Sequence, residues 1–92
     1  MLPYCVYVLR SERDGSHYIG FTTDLRRRLA QHLAGETSST SRRRPLRLIF
    51  CEYFTCREDA LRRERYFKTS AGKWALKMML RRTLADSEAA PK

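Results

Sequence analysis

The chain has 92 residues, enough for one small domain with a core but with little surplus. At 42% hydrophobic and 11% aromatic it is not a fully disordered chain. Nineteen Lys and Arg against ten acids give a formal net charge of +9, which points to a polyanionic partner, although a ribosome-associated protein or a merely basic surface would show the same balance.

The opening residues, MLPYCVYVLR, are too short for a signal h-region and lack a basic start, and no apolar run approaches the ~20 residues of a membrane span. A cytoplasmic protein is the expectation. Tyr4–Arg10 and His17–Thr22 are aromatic and β-branched runs that read as strands. Asp14-Gly15 between them is a hairpin signal. Leu25, Leu29 and Leu33 recur at helical spacing, so a helix starts near Thr23-Asp24 and stops at Gly35. The segment Glu36–Pro45 is a polar, Ser/Thr/Arg-rich loop. Leu46–Tyr53 reads as a third, well-buried strand. Thr55 and Glu58 have the spacing of a capping box and open a helix to about Ser70. Gly72 is expected to break it, and Lys73–Leu84 to form a last helix carrying Trp74, Met78 and Met79 as packing residues.

The expected fold is therefore α+β (α/β in the broad sense): a small three-stranded, mainly antiparallel sheet flanked by helices in the order β-β-α-β-α-α. One domain spans residues 1–84, with 85–92 as a flexible tail. Cys5, Cys51 and Cys56 are an odd set without CxxC spacing, so neither a disulfide framework nor a zinc site is indicated. Cys5 and Cys51 read as small core fillers.

Chemistry enters with the charged residues. Arg26–Arg28, Arg42–Arg44 and Arg62–Arg65 are separate basic groups, and planar guanidinium suits phosphate better than ammonium does. On the first helix Arg28 and His32 project side by side along one edge of the Leu stripe, while Arg27 and Gln31 point to solvent. Structural roles for this pair, an ion pair for Arg28 and a core-flanking place for His32, are the plain alternative. On the second helix Glu64 falls near the centre of the apolar arc set by Ala60, Leu61 and Phe67. A carboxylate there needs a partner or a metal. A salt bridge to Lys68 and a Mg²⁺ site using one carboxylate, waters and substrate oxygens explain it equally well. Tyr7 and Tyr18 sit on strands, where a nearby cation would favour a phenolate able to take a proton from water.

Tyr18-Ile19-Gly20, with Cys5-Val6-Tyr7 upstream, resembles the signature of the GIY-YIG endonuclease superfamily. The stretch Phe21–Arg28 with His32 is similar to the part of that family that carries the catalytic arginine, and Ala60–Lys68 to its glutamate helix. The likeness covers about residues 3–80 and is nearest to the small stand-alone single-domain bacterial branch; the first tripeptide departs from it, being Cys-Val-Tyr rather than Gly-Ile-Tyr. The resemblance implies a metal-dependent endonuclease that hydrolyses DNA phosphodiesters with weak sequence specificity, in repair, recombination or the processing of single-stranded or branched DNA. RNA stays open as a substrate, and so do a homodimer or recruitment by other DNA-processing proteins. A nucleic-acid-binding module with the same fold and little activity is the alternative. The implied roles are Tyr7 or Tyr18 as general base, Arg28 against the phosphate, His32 orienting a water or phenol, and Glu64 holding Mg²⁺ or Mn²⁺. Gly20, Arg42, Arg43, Arg44, Lys68 and Lys73 are the candidate nucleic-acid contacts.

Overall fold

The structure is a computed structural model that describes residues 2–89, with side chains described as far as Asp86. Strands β1 (Tyr4–Ser11), β2 (His17–Thr22) and β3 (Leu46–Phe54) form one antiparallel sheet in the order β2-β1-β3. The helices are α1 (Leu25–Leu33), α2 (Arg57–Phe67), α3 (Ser70–Met79) and α4 (Arg81–Ala89). The α+β architecture and the strand–helix order match the expectation.

Alternation along β1 decides which layer is which. As the central strand it is covered on both faces, and Cys5 to Leu9 are all buried. Cys5, Tyr7 and Leu9 look to one side, where they pack with Leu25 and Leu29 of α1. Val6 and Val8 look to the other, where they pack with Ala60 and Phe67 of α2 and Leu76 of α3. Each fully buried aliphatic side chain contributes roughly 1.5–3 kcal/mol. The sheet is thus sandwiched, with α1 on one face and the α2–α3 pair on the other.

The β1–β2 hairpin forms as the Asp14-Gly15 signal predicts. Ser11 Oγ accepts from the backbone N–H groups of Arg13 and Asp14, and the Asp14 carboxylate accepts from Ser16 N. Hydrogen bonds from Ser16 hold the Asp14 carboxyl down to about 2. Asp24 caps α1 by accepting from Arg27 N at 3.1 Å.

Several expectations are corrected. Strand β3 is an edge strand rather than a well-buried one; Leu46 is its one buried residue, and Cys51 is exposed. Leu33 is also exposed, and His32 is the buried residue of α1, because Leu25, Leu29 and His32 define the inward arc. No capping box forms: Cys56 is the N-cap of α2 and makes no capping hydrogen bond, although Glu58 and Asp59 complement the dipole of the first turn. Gly72 breaks nothing. It lies inside α3, where a Cβ would stand 1.8 Å from the carbonyl oxygen of Tyr66, so glycine here lets α3 close against the end of α2. Thr69 makes the turn between them, donating to Tyr66 O and accepting from Gly72 N.

With Gly72 and Leu76 turned inward, Trp74, Met78 and Met79 face solvent rather than packing, and Trp74 is 65% exposed. The expected last helix is two, divided at Leu80, which packs against the Val6–Phe67 cluster with φ −106° and ψ 19°. The tail expected from 85 onward is helical through Ala89, and its remainder, 90–92, lies outside the described residues.

Candidate active site

The hydroxyl of Tyr7 lies 2.8 Å from His32 Nε2, and His32 Nδ1 lies 2.7 Å from Thr40 Oγ1. All three side chains are buried beneath α1 and the loop that follows it. Burial is the main cause that pushes the Tyr7 phenol up to about 12, with the Arg28 guanidinium pulling the other way. Burial and then the Arg28 charge hold His32 below its ordinary range. At neutral pH the phenol is therefore protonated and the imidazole neutral. In the Nδ1–H tautomer Tyr7 O–H donates to Nε2 and Nδ1–H donates to Thr40; in the Nε2–H tautomer both directions reverse.

The phenolic oxygen of Tyr7 can accept from Arg28 either way. The Tyr7 hydroxyl, and after it that of Tyr18, holds the guanidinium more firmly charged than usual. Arg28 is further fixed by donating from Nη1 to Gln31 Oε1 at 3.1 Å, so Gln31 is a partner of the site and not a solvated residue. The Tyr18 ring packs 5.0 Å from the His32 ring and 6.2 Å from that of Tyr7, centroid to centroid. Tyr7, Tyr18, Arg28 and His32, chosen from sequence spacing, are one cluster on the α1 face.

Gly20 has a different part from the one expected. It pairs across the strands with Tyr7, and a Cβ would meet Tyr7 Cζ and the hydroxyl at 2.5 Å. The close approach belongs to a phenol, so the expected phosphate contact at this buried backbone does not hold. The loop Glu36–Pro45 is pinned rather than free. Ser11 Oγ donates to Arg43 O at 2.7 Å, and Arg13 Nη1 donates to Arg42 O at 2.9 Å. The Arg43 guanidinium donates to Ser16 Oγ and to the carbonyls of Ser39 and His17, and it lies 5.9 Å from the Tyr18 ring centroid. Arg43 is a strut behind Tyr18, whereas Arg42 and Arg44 remain at the surface. Thr40, which holds His32 Nδ1, has no sequence signal; only the folded loop brings it there.

Glu64 stands in the other layer. Its side chain is 18% exposed, and Oε2 accepts from Lys68 Nζ at 3.3 Å, while Oε1 has no protein partner among the described residues. Its place around α2 follows from its neighbours. Arg63 reaches Glu52 of β3 at 2.8 Å, and Arg57 lies over Phe21 of β2. One residue is about 100° of helix, so Glu64 falls on the side of Arg57, toward the β2 edge. β2 carries Tyr18 on one face, so the carboxylate and the phenol cluster flank the same edge strand from opposite layers. Among the described residues no three His, Cys, Asp or Glu side chains form a metal-binding group. One carboxylate with a free oxygen fits a hard divalent ion that keeps waters and takes phosphate oxygens from a substrate.

The GIY-YIG catalytic domain matches residues 3–77. The chain belongs to the GIY-YIG family. The model that matches is that of the family's catalytic domain. GIY-YIG relatives include a UPF0213 protein of Streptococcus pneumoniae, 48% identical over 68% of this chain and 64% of that protein. Another, from Staphylococcus haemolyticus, is 38% identical over 86% of this chain and 96% of its own length. The chain thus spans a little under two thirds of the pneumococcal relative. The solution structure of a UPF0213 protein from Bacillus halodurans superposes with a TM-score of 0.54 at 35% identity, covering 83% of each chain. Among the described residues of this GIY-YIG chain, no helix is long and apolar enough to cross a membrane.

Proposed function

We propose that this GIY-YIG protein is a metal-dependent endonuclease that hydrolyses phosphodiester bonds in DNA, with weak sequence specificity. The observation that carries the reading is the buried Tyr7–His32–Thr40 chain behind Arg28, because a purely structural core would be simpler without four polar groups in it. Of the two phenols, Tyr7 is closed to water and stays protonated, so it serves as the hydrogen-bond partner that fixes His32 and as an acceptor that aims Arg28. Tyr18 is only half-buried and is the phenol that a water can reach. In its ionised form Tyr18 takes the proton of the attacking water. A P–O bond to the attacking oxygen forms, the P–O3′ bond breaks, and the leaving oxygen is protonated from solvent. Arg28 neutralises the charge that grows on the non-bridging phosphate oxygens. Glu64, with its free Oε1, is the residue to hold Mg²⁺ or Mn²⁺, which would supply Lewis-acid polarisation of the phosphate. His32 and Thr40 touch no substrate and act through Tyr7.

One observation favours a binding module with little activity: Lys68 already pairs with Glu64, as it would in a fold that kept the acid for structure alone. Incubating the protein with labelled single-stranded, duplex and branched DNA and with Mg²⁺ or Mn²⁺ separates the two. Catalysis requires cutting that falls about 10²–10³-fold in Arg28→Ala and is abolished in Glu64→Gln, both with binding retained. Binding with no strand breaks in the wild type, and no change in Glu64→Gln, supports the module.

A further inference from the structure

The hairpin and the last two helices enclose two adjoining hollows, of about 340 and about 410 Å³, which share Gly15, His17 and Lys77. Buried Ile19 and Leu76 give the first an apolar floor, and Leu84 and Ala85 are the apolar part of the second, more polar lining. Their rim is cationic: Lys73 and Lys77 stand one turn apart on α3, Arg10 comes from β1 and Arg81 from α4, and no carboxylate lines either hollow. Arg10 is paired with Glu12, and Arg81 donates to Met78 O. Lys73 and Lys77 have no acidic partner among the described residues. His17, deeper in, is held below its ordinary range by burial and then by Arg10 and Lys77, so it is neutral and surrounded by positive charge. Arg10 has Glu12 for a partner, but Lys73, Lys77 and Arg81 face the groove with no carboxylate in its lining, an arrangement that favours an anion there.

The groove and the candidate active site border the same edge strand, β2, from opposite faces. His17 and Tyr18 are consecutive on that edge strand and point to opposite faces. Glu64 and Lys68 flank the same edge one helix earlier than Lys73 and Lys77. We propose that this groove is a track for single-stranded nucleic acid flanking the scissile phosphate, with Lys73 and Lys77 on its phosphates and the apolar floor against its bases. The proposal deepens the nuclease reading and rests on it only for where the strand is cut. The hollows are too small for a duplex, and the apolar Ile19–Leu76 floor suits the exposed faces of unpaired bases, which a duplex would keep stacked inside.

The test is binding of a short fluorescent oligothymidylate in EDTA, over a salt series, to the wild type and to a Lys73→Gln/Lys77→Gln double variant. Both lysines are exposed, so the variant should fold as the wild type does. Loss of two single-strand phosphate contacts should weaken binding roughly tenfold and lower the slope of log K against log salt by about 1.4. The wild type should bind the single strand more tightly than a duplex of equal length, and the strand should raise the titration midpoint of His17 in NMR. An unchanged salt slope in the double variant, or a duplex preferred by the wild type, overturns the track. So does lysine-dependent binding to phosphatidylglycerol vesicles with no binding to the oligonucleotide. Cutting is scored separately with Mg²⁺. A wild type that binds this way but never cuts sinks the nuclease reading and leaves the groove. One that cuts while the double variant binds with the wild-type slope sinks the groove and leaves the nuclease.

Discussion

The two faces of the sheet handle polar groups in opposite ways. On the α1 face Tyr7, His32 and Thr40 are buried in a closed chain of hydrogen bonds, and Arg28 is aimed by the phenols it touches. On the α2–α3 side the polar contacts are ion pairs near water: Glu64 with the half-exposed Lys68, and Arg63 with Glu52. A buried chain is costly to disturb and holds one geometry, whereas an exposed pair is weak and can exchange partners. One side of the β2 edge is thus preorganised and the other is adjustable. This is the division expected if an arginine must be fixed while a carboxylate takes up and releases an ion with each substrate.

The comparison breaks most visibly at the two close-packed glycines. In Gly72→Ala the new methyl meets the Tyr66 carbonyl, a backbone atom that cannot swing aside, so α2 and α3 must part. We expect a loss of about 3 kcal/mol or more in denaturant unfolding. Gly20→Ala meets the end of the Tyr7 side chain, which can move only by leaving His32. The expected cost is smaller, about 1–3 kcal/mol, but cleavage should fall on the order of 10²-fold because Arg28 loses its aim. If Gly20→Ala cut DNA normally, the Tyr7–His32 chain would have no part in activity.

Local rules made the strands, the Asp14-Gly15 hairpin and the first helix readable, because each rests on neighbouring residues. The Tyr7, Tyr18, Arg28 and His32 cluster was readable for a related reason: strand pairing and helix period fix where those side chains point. What depends on tertiary neighbours was not. The edge position of β3 exposes Cys51 although its sequence is as apolar as a central strand. Gly72 has the residue type of a breaker and the role of a packing contact. The break at Leu80 has no Gly or Pro to mark it, and Thr40 reaches His32 only through a loop whose path is set by Ser11 and Arg43.

A third expected effect separates the faces by pH. Both histidines have folded values held below the ordinary 6.5, chiefly by burial. The unfolded chain therefore takes up protons first. Stability is complete above about 6.5 and is lost as pH falls through that value toward the lowered folded ones, with a slope of up to about 1.4 kcal/mol per pH unit for each histidine. Thermal unfolding over this range checks the sign. NMR titration tells the two apart: added phosphate should raise the midpoint of His17, in its open groove, and leave that of the sealed His32 where it was.

The smallest effect tests the adjustable side. Lys68→Met removes a cation that competes for Glu64 and keeps the aliphatic stem. Because the pair is near water, stability should change by less than about 1 kcal/mol in either direction. The same small energy, transferred to the carboxylate, should tighten Mn²⁺ binding by up to about fivefold, read by water-proton relaxation with no nucleic acid present. A rise in stability cost to several kcal/mol would mean that the pair is a buried structural link. Weaker Mn²⁺ binding would mean that Lys68 orients Glu64 for the ion instead of competing with it, and the two sides of the β2 edge would then be equally preorganised.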